Sequence, residues 1–169
     1  MLALTSGCAS VPTDHPRTTS NAFESHESTK IGASFAEEAA GYPGKSGFSI
    51  IRKGRYAFTD RIAMTRLAEK TLDVQYNIWE PDDTGRILAE HLVQAADRGV
   101  RVRLLVVDMN FDGRDDAVAS LDAHPNIEIL IFNPFAKRDS AMFDFLVDLC
   151  LVNHRMNNKI MVMYNTLVI

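Results

Sequence analysis

The sequence predicts an α/β layered sandwich: a mixed, mostly parallel sheet with helices on both faces. Three observations predict it. From Tyr56 on, segments of helical period alternate with segments of strand period. Val100 to Val107 is apolar on both sides, with Val102, Leu104 and Val106 pointing one way and Leu105 and Val107 the other, as in a strand covered on both faces. Turn and capping residues stand between the segments, at Glu80 to Gly85, at Gly99, and at Pro125 and Pro134.

Taken in order, Phe58 to Lys70 places Ile62, Ala63, Leu67 and Ala68 at helical spacing, with Thr59 or Asp60 near the start. Leu72 to Trp79 reads as a strand with Leu72, Val74 and Tyr76 on one face. The turn Glu80-Pro81-Asp82-Asp83-Thr84-Gly85 follows, and Asp83 or Thr84 can cap the next helix. That helix runs towards Arg98 on a stripe of Leu88, Leu92, Ala95 and Ala96, and Gly99 suits the position after its end. Val100 to Val107 is the second strand, Asp115 to Ala123 a shorter helix, and Ile127 to Phe132 the third strand. Ala141 to Leu151 reads as an apolar helix and Lys159 to Met163 as the last strand. Sites in such sheets form outside the carboxyl ends of the strands.

The chain has 169 residues, which suits one domain. It is 46% hydrophobic and 24% charged, enough apolar content to bury a core. A net charge of -4 argues against bulk nucleic-acid binding, which shows as a basic face. It leaves membranes open, because an acidic chain can carry a basic patch. Cys8 and Cys150 fit neither a metal-ligand spacing nor a disulfide framework, and Cys150 lies in the apolar run Phe143 to Val152, where a buried thiol is the natural reading. No segment is long and apolar enough to span a bilayer.

Residues 10–32 are rich in Thr, Ser, Pro and charge and read as a flexible tether, with globular structure beginning between Ala33 and Ser49. Before them, Leu4-Thr5-Ser6-Gly7-Cys8-Ala9-Ser10 resembles the lipidation signal of bacterial lipoproteins, which makes Cys8 a lipidation candidate. Only six residues separate Met1 from Cys8 and none is basic. A secretory signal has a basic start and an apolar run of roughly 7–15 residues. Residues 1–9 are therefore read as the remnant of such a signal with its start upstream, or else as an unstructured end with an incidental cysteine.

Several pieces in fixed order carry a family resemblance. They are Tyr42-Pro43-Gly44-Lys45-Ser46-Gly47-Phe48, Leu72-Asp73-Val74-Gln75-Tyr76-Asn77-Ile78-Trp79, and Ala95-Ala96-Asp97-Arg98-Gly99-Val100-Arg101-Val102-Arg103-Leu104-Leu105 followed by Asp108. Asn126-Ile127-Glu128, Phe132-Asn133-Pro134-Phe135, and Arg155-Met156 with Asn158-Lys159 come after them. The chain resembles the phospholipase D superfamily, and within it the bacterial C-type cardiolipin synthases. The resemblance implies that residues 33–169 form one phospholipase D-like domain, the N-terminal of two, expected to be incomplete because the family continues where this chain stops at Ile169. It also implies phosphodiester chemistry with no metal and no cofactor. In the family the motif His-x-Lys-x-x-x-x-Asp occurs twice. One histidine attacks phosphorus to give a phosphohistidine; the other protonates the leaving alkoxide and then activates the acceptor. The lysines hold the phosphate oxygens, and each aspartate orients its histidine. The implied partners are a glycerophospholipid or phosphate headgroup and a membrane surface, with no nucleic acid. The implied location is the periplasmic face of a bacterial inner membrane, as a lipoprotein.

Lys159 stands at the motif's lysine, Asn157 at its histidine and Tyr164 at its aspartate. In a strand, Asn157 and Lys159 share a face two positions apart and aim at one phosphate. An ammonium binds phosphate well as a point charge; outside this context Lys159 would read as a solvated lysine at a sheet end. A carboxamide has no basic nitrogen lone pair, so Asn157 cannot be the nucleophile. A phenol titrating near pH 10 does not replace the carboxylate. His154 lies three residues upstream of Asn157 and on the opposite face. Asn158, Gln75 and Trp79 complete the substrate-binding candidates, with Trp79 either packed in the core or lining a lipid or phosphate pocket. The expectation is a phosphatidyltransferase-type chain without turnover of its own. The alternative is a non-catalytic headgroup-binding fragment. A homodimer, or pairing with an intact relative, would be the route to a second motif, and two copies of this chain bring two asparagines. A nuclease-like phosphodiesterase fits less well with the Tyr76 to Trp79 wording, the lipidation-like start and the acidic charge. Asp108 to Gly113 begins like a calcium loop, but Ala119 takes the place of its bidentate glutamate. Gly44-Lys45-Ser46 lacks the earlier glycine of a phosphate loop, Ala39 standing there.

Overall fold

The computed structural model describes residues 19–107, 115–134, 156–164 and 166–169. Cys8, Cys150, His154, the Asp108 to Gly113 loop and the helix expected over Ala141 to Leu151 lie outside the described residues.

Order begins earlier than the composition suggested. One turn of 3-10 helix at His26–Ser28 leads into α1 (Lys30–Ala40). The Thr29 hydroxyl donates to the His26 carbonyl at 2.6 Å and accepts the Gly32 N–H at 3.1 Å, so it caps the helix while itself buried. Gly32 permits the approach: a Cβ there would meet the His26 carbonyl oxygen at 1.9 Å. Residues 30–32, which composition places in the tether, form the first turn of α1. A Ser- and Thr-rich run reads as linker by composition, yet one threonine in it serves as a helix cap. The Lys30 N–H then donates to the Glu69 carboxylate at 2.8 Å, tying α1 to the body of the fold and holding that carboxyl below its ordinary range.

The other elements among the described residues are α2 (Gly54–Leu67), β1 (Thr71–Tyr76), α3 (Asp83–Asp97), β2 (Arg101–Val107), α4 (Asp115–Asp122), β3 (Ile127–Phe132), β4 (Lys159–Met163) and β5 (Thr166–Val168). Their order follows the alternation read from the sequence. α2 starts at Gly54 rather than Phe58, because Lys53 gives no side-chain cap and nothing in the sequence marks the start. The cap of α3 is Asp82, not Asp83 or Thr84. Its carboxylate accepts the Thr84 hydroxyl at 2.7 Å and the Gly85 N–H at 2.8 Å, and these bonds hold the Asp82 carboxyl below its usual range. Gly99 follows α3 at φ 89, the left-handed conformation expected of it.

Among the described residues the sheet has five strands, in the order β3-β2-β1-β4-β5. β1, β2 and β3 are parallel, with Leu72 beside Val102 and Leu104 beside Ile129. β4 runs antiparallel to β1, and β5 folds back on β4. β5 had no sequence signal of its own; three residues are too few for a period to show. Met64 from α2, Ala68 just after it, and Leu88, Leu92, Ala95 and Ala96 from α3 meet Leu72, Val74, Val102, Leu104, Met161 and Met163 of the sheet in one core cluster. Alanine at 95 and 96 lets the α3 backbone lie close to the strands.

The other face of the sheet is polar at its centre. Asp73 and Arg103 sit side by side in register and form a two-pronged ion pair, at 2.5 Å from Nε and 2.7 Å from Nη2. Arg103 also donates to the Ser20 hydroxyl at 3.0 Å, and Arg101 to the Asn21 carbonyl at 2.7 Å. The N-terminal segment is thus laid across this face by the two arginines that alternate with the buried Val102 and Leu104.

Gly85 is the tightest joint near the site. A Cβ there would meet the Glu80 carbonyl oxygen at 1.9 Å and Trp79 Nε1 at 3.2 Å. Gly85→Ala is expected to lower the unfolding free energy by about 1–3 kcal/mol, as overpacking against backbone does. A urea midpoint unchanged from the parent protein would refute this.

Candidate phosphate site

The carboxyl end of β1 and the amino end of β4 meet because the two strands are antiparallel neighbours. This brings Gln75, Tyr76 and Asn77 beside Asn157, Asn158 and Lys159. The Asn77 backbone N–H donates to the Asn158 carbonyl at 3.0 Å, which extends the ladder past β1. Asn77 Nδ2 donates to Asn157 Oδ1 at 3.0 Å, and Asn158 Nδ2 reaches Gln75 Oε1 at 3.5 Å. Asn157, Asn158 and Lys159 are exposed, while Met156 just before them is buried and anchors the segment.

Lys159 lies opposite Tyr76 and so projects from the same face of the sheet. Among the described residues no carboxylate forms an ion pair with Lys159. Asn157 is engaged as an acceptor and offers its amide N–H groups, so the pair can bind phosphate oxygens but cannot attack phosphorus. Trp79 packs against the core, with its ring 5.2 Å from that of Tyr76 at 58°.

Tyr164 is not part of this group. It follows β4 at the far end from Lys159, five residues on, which in a strand is about 16 Å. Its phenol oxygen accepts the backbone N–H groups of Glu69 and, at 2.8 Å, Lys70, before β1 begins. The Tyr164 side chain thus holds the start of β1 to the end of β4.

Two residues were not anticipated. Asn77 bonds to Asn157 as described, and Arg61 of α2 borders Tyr76. Burial pushes the Tyr76 phenol up, and Arg61 opposes that shift through its charge and its hydrogen bond. Arg61 Nη1 donates to the Ala57 carbonyl at 2.8 Å, while its buried Nε has no partner among the described residues. The signal was present in the sequence: Arg61 stands between Phe58 and Ile62 on the apolar stripe of a helix, where a cation is out of place. No cluster of His, Cys, Asp or Glu that could hold a metal occurs among the described residues. No described helix is long and apolar enough to cross a membrane.

No family model matches the chain. It is 46% identical over 118 residues to cardiolipin synthase C of Escherichia coli (strain K12), covering 70% of this chain and 25% of that protein. An uncharacterized protein of Helicobacter pylori (strain ATCC 700392 / 26695) is 34% identical over 143 residues, 83% of this chain and 28% of its own length. Among solved structures, NucT from Helicobacter pylori aligns with a TM-score of 0.45 at 18% identity, covering 69% of this chain and 65% of that one. The archaeal chromatin protein TrmBL2 aligns at 0.47 and 12%, covering 82% and 46%. The chain spans about a quarter of the length of the curated relatives it matches. Its likeness to cardiolipin synthase C, together with the lysine of the motif on β4 beside the carboxyl end of β1, makes it a member of the phospholipase D superfamily, of the cardiolipin synthase C type.

Proposed function

We propose that this chain serves a phospholipase D-like phosphatidyltransferase of the cardiolipin synthase type, binding the phosphodiester of a glycerophospholipid through Lys159 and supplying no nucleophile. The observation that carries this reading is Asn157. It occupies the histidine position, beside an exposed lysine without an ion pair among the described residues, with its carboxamide bonded to Asn77. Phosphohistidine formation needs a basic ring nitrogen at that point, and an amide has none. What remains is the electrostatic half of the chemistry: an ammonium and amide N–H groups aimed at phosphate oxygens. The metal-free, cofactor-free chemistry and the membrane location of the reading come from the family resemblance.

The purified chain, incubated with phosphatidylglycerol vesicles, is expected to release neither cardiolipin nor free headgroup above a Lys159→Ala control. Product above that control overturns the reading. Binding of glycerophosphate, followed by NMR titration, is expected to weaken roughly tenfold or more in Lys159→Ala, the worth of a charge-assisted contact.

A further inference from the structure

A second feature stands apart from Lys159. Between Glu38 and Asp60 the chain carries four cations, Lys45, Arg52, Lys53 and Arg55, and no acidic residue, in a protein whose net charge is -4. All four are exposed, and among the described residues none is in a salt bridge. The same segment leaves its large apolar side chains in water: Phe48 is 95% exposed and Ile50 83%. Lys45 and Arg55 lie over the rings of Tyr42 and Tyr56, at 5.9 and 4.8 Å from the centroids.

Neither property helps the fold. Arg52, Lys53 and Arg55 crowd the amino end of α2, where the helix dipole disfavours positive charge, and Lys53 at the cap position makes no side-chain bond. Phe48 and Ile50 bury little of their surface. Exposed apolar side chains set among aromatic rings and cations that form no salt bridge among the described residues fit an anionic bilayer: the cations meet the headgroups, and the apolar side chains enter the acyl boundary. A nucleic acid would use the cations but give Phe48 and Ile50 no apolar region to enter.

We propose that residues 42–56 form the docking surface of this chain for anionic phospholipid bilayers, separate from the phosphate site at Lys159. The test is co-sedimentation of the full chain with vesicles of phosphatidylcholine alone or mixed with phosphatidylglycerol. Binding is expected only to the mixed vesicles and is expected to fall as salt rises. Arg52→Gln, Lys53→Gln and Arg55→Gln together are expected to weaken it roughly a hundredfold. They are also expected to leave the thermal midpoint unchanged or raised, since the charges oppose the dipole. Lys30→Gln with Arg86→Gln, which removes cations elsewhere, is expected to leave vesicle binding intact. Phe48→Trp supplies a reporter that should shift to shorter emission wavelength on the mixed vesicles. The proposal is overturned by equal binding to both vesicle types, by full binding in the triple variant, by an unshifted Phe48→Trp spectrum, or by tighter binding to DNA or RNA than to vesicles. The Lys159→Ala assays above read the other site, so the two proposals fail separately.

Discussion

Leu92→Ala is expected to lower the unfolding free energy by about 2–5 kcal/mol, seen as a lower urea midpoint with an unchanged slope. Leu92 is 1% exposed and sits on the stripe of α3 that faces Val74, Val102 and Leu104 in the core cluster. Alanine is the better helix former, so the helix itself loses nothing. The whole effect comes from lost apolar contact and from the space left behind. Ala95 and Ala96, both fully buried, already hold α3 against the strands, so the helix cannot settle inward to fill that space. A loss under about 1 kcal/mol would mean that the helix does settle, and that the packing between α3 and the sheet is looser than described.

Tyr164→Ala is expected to cost about 2–4 kcal/mol, from packing and hydrogen bonding together. The Tyr164 ring lies 5.6 Å from that of Phe23, and its phenol oxygen holds the N–H groups of Glu69 and Lys70. The backbone there is left-handed, at φ 56, a conformation a bulky side chain adopts only when its contacts compensate. Tyr164→Phe isolates the hydroxyl and should lose about 1–2 kcal/mol. Tyr164→Asp restores the family's residue and tolerates the left-handed backbone, but a short carboxylate replaces a donor-facing phenol and an apolar ring. It should therefore unfold more easily than Tyr164→Phe. Combined with Asn157→His it should give no more turnover than Asn157→His alone, because residue 164 lies about 16 Å along the strand from Lys159. Turnover in the double variant alone would show that the aspartate acts across that distance.

Much of this was legible in the chain. Val102, Leu104 and Val106 alternate as a strand must, and Leu88, Leu92, Ala95 and Ala96 repeat as a helix must, because period reports directly which side of an element is dry. Gly99 was legible because a left-handed residue after a helix needs glycine. The caps were harder. Asp82, Asp83 and Thr84 offer similar oxygens, and only the path of the backbone selects Asp82. Thr29 was hidden in a stretch whose composition suits a linker, and β5 was too short to show a period.

The sequence by itself determined the kinds of element, their order, the family and the presence of the motif's lysine without its histidine. These are local properties: they depend on side-chain period, capping chemistry and residue identity at motif positions. The tertiary structure decided which of those residues meet. Asn77 and Asn157 are 80 residues apart in the chain, and they bond because β4 lies antiparallel beside β1. Tyr164 is seven residues from Asn157 and is carried to the opposite end of the same strand. Strand pairing is made by backbone groups that every residue shares, so side-chain period shows which face is buried but not which neighbour lies alongside.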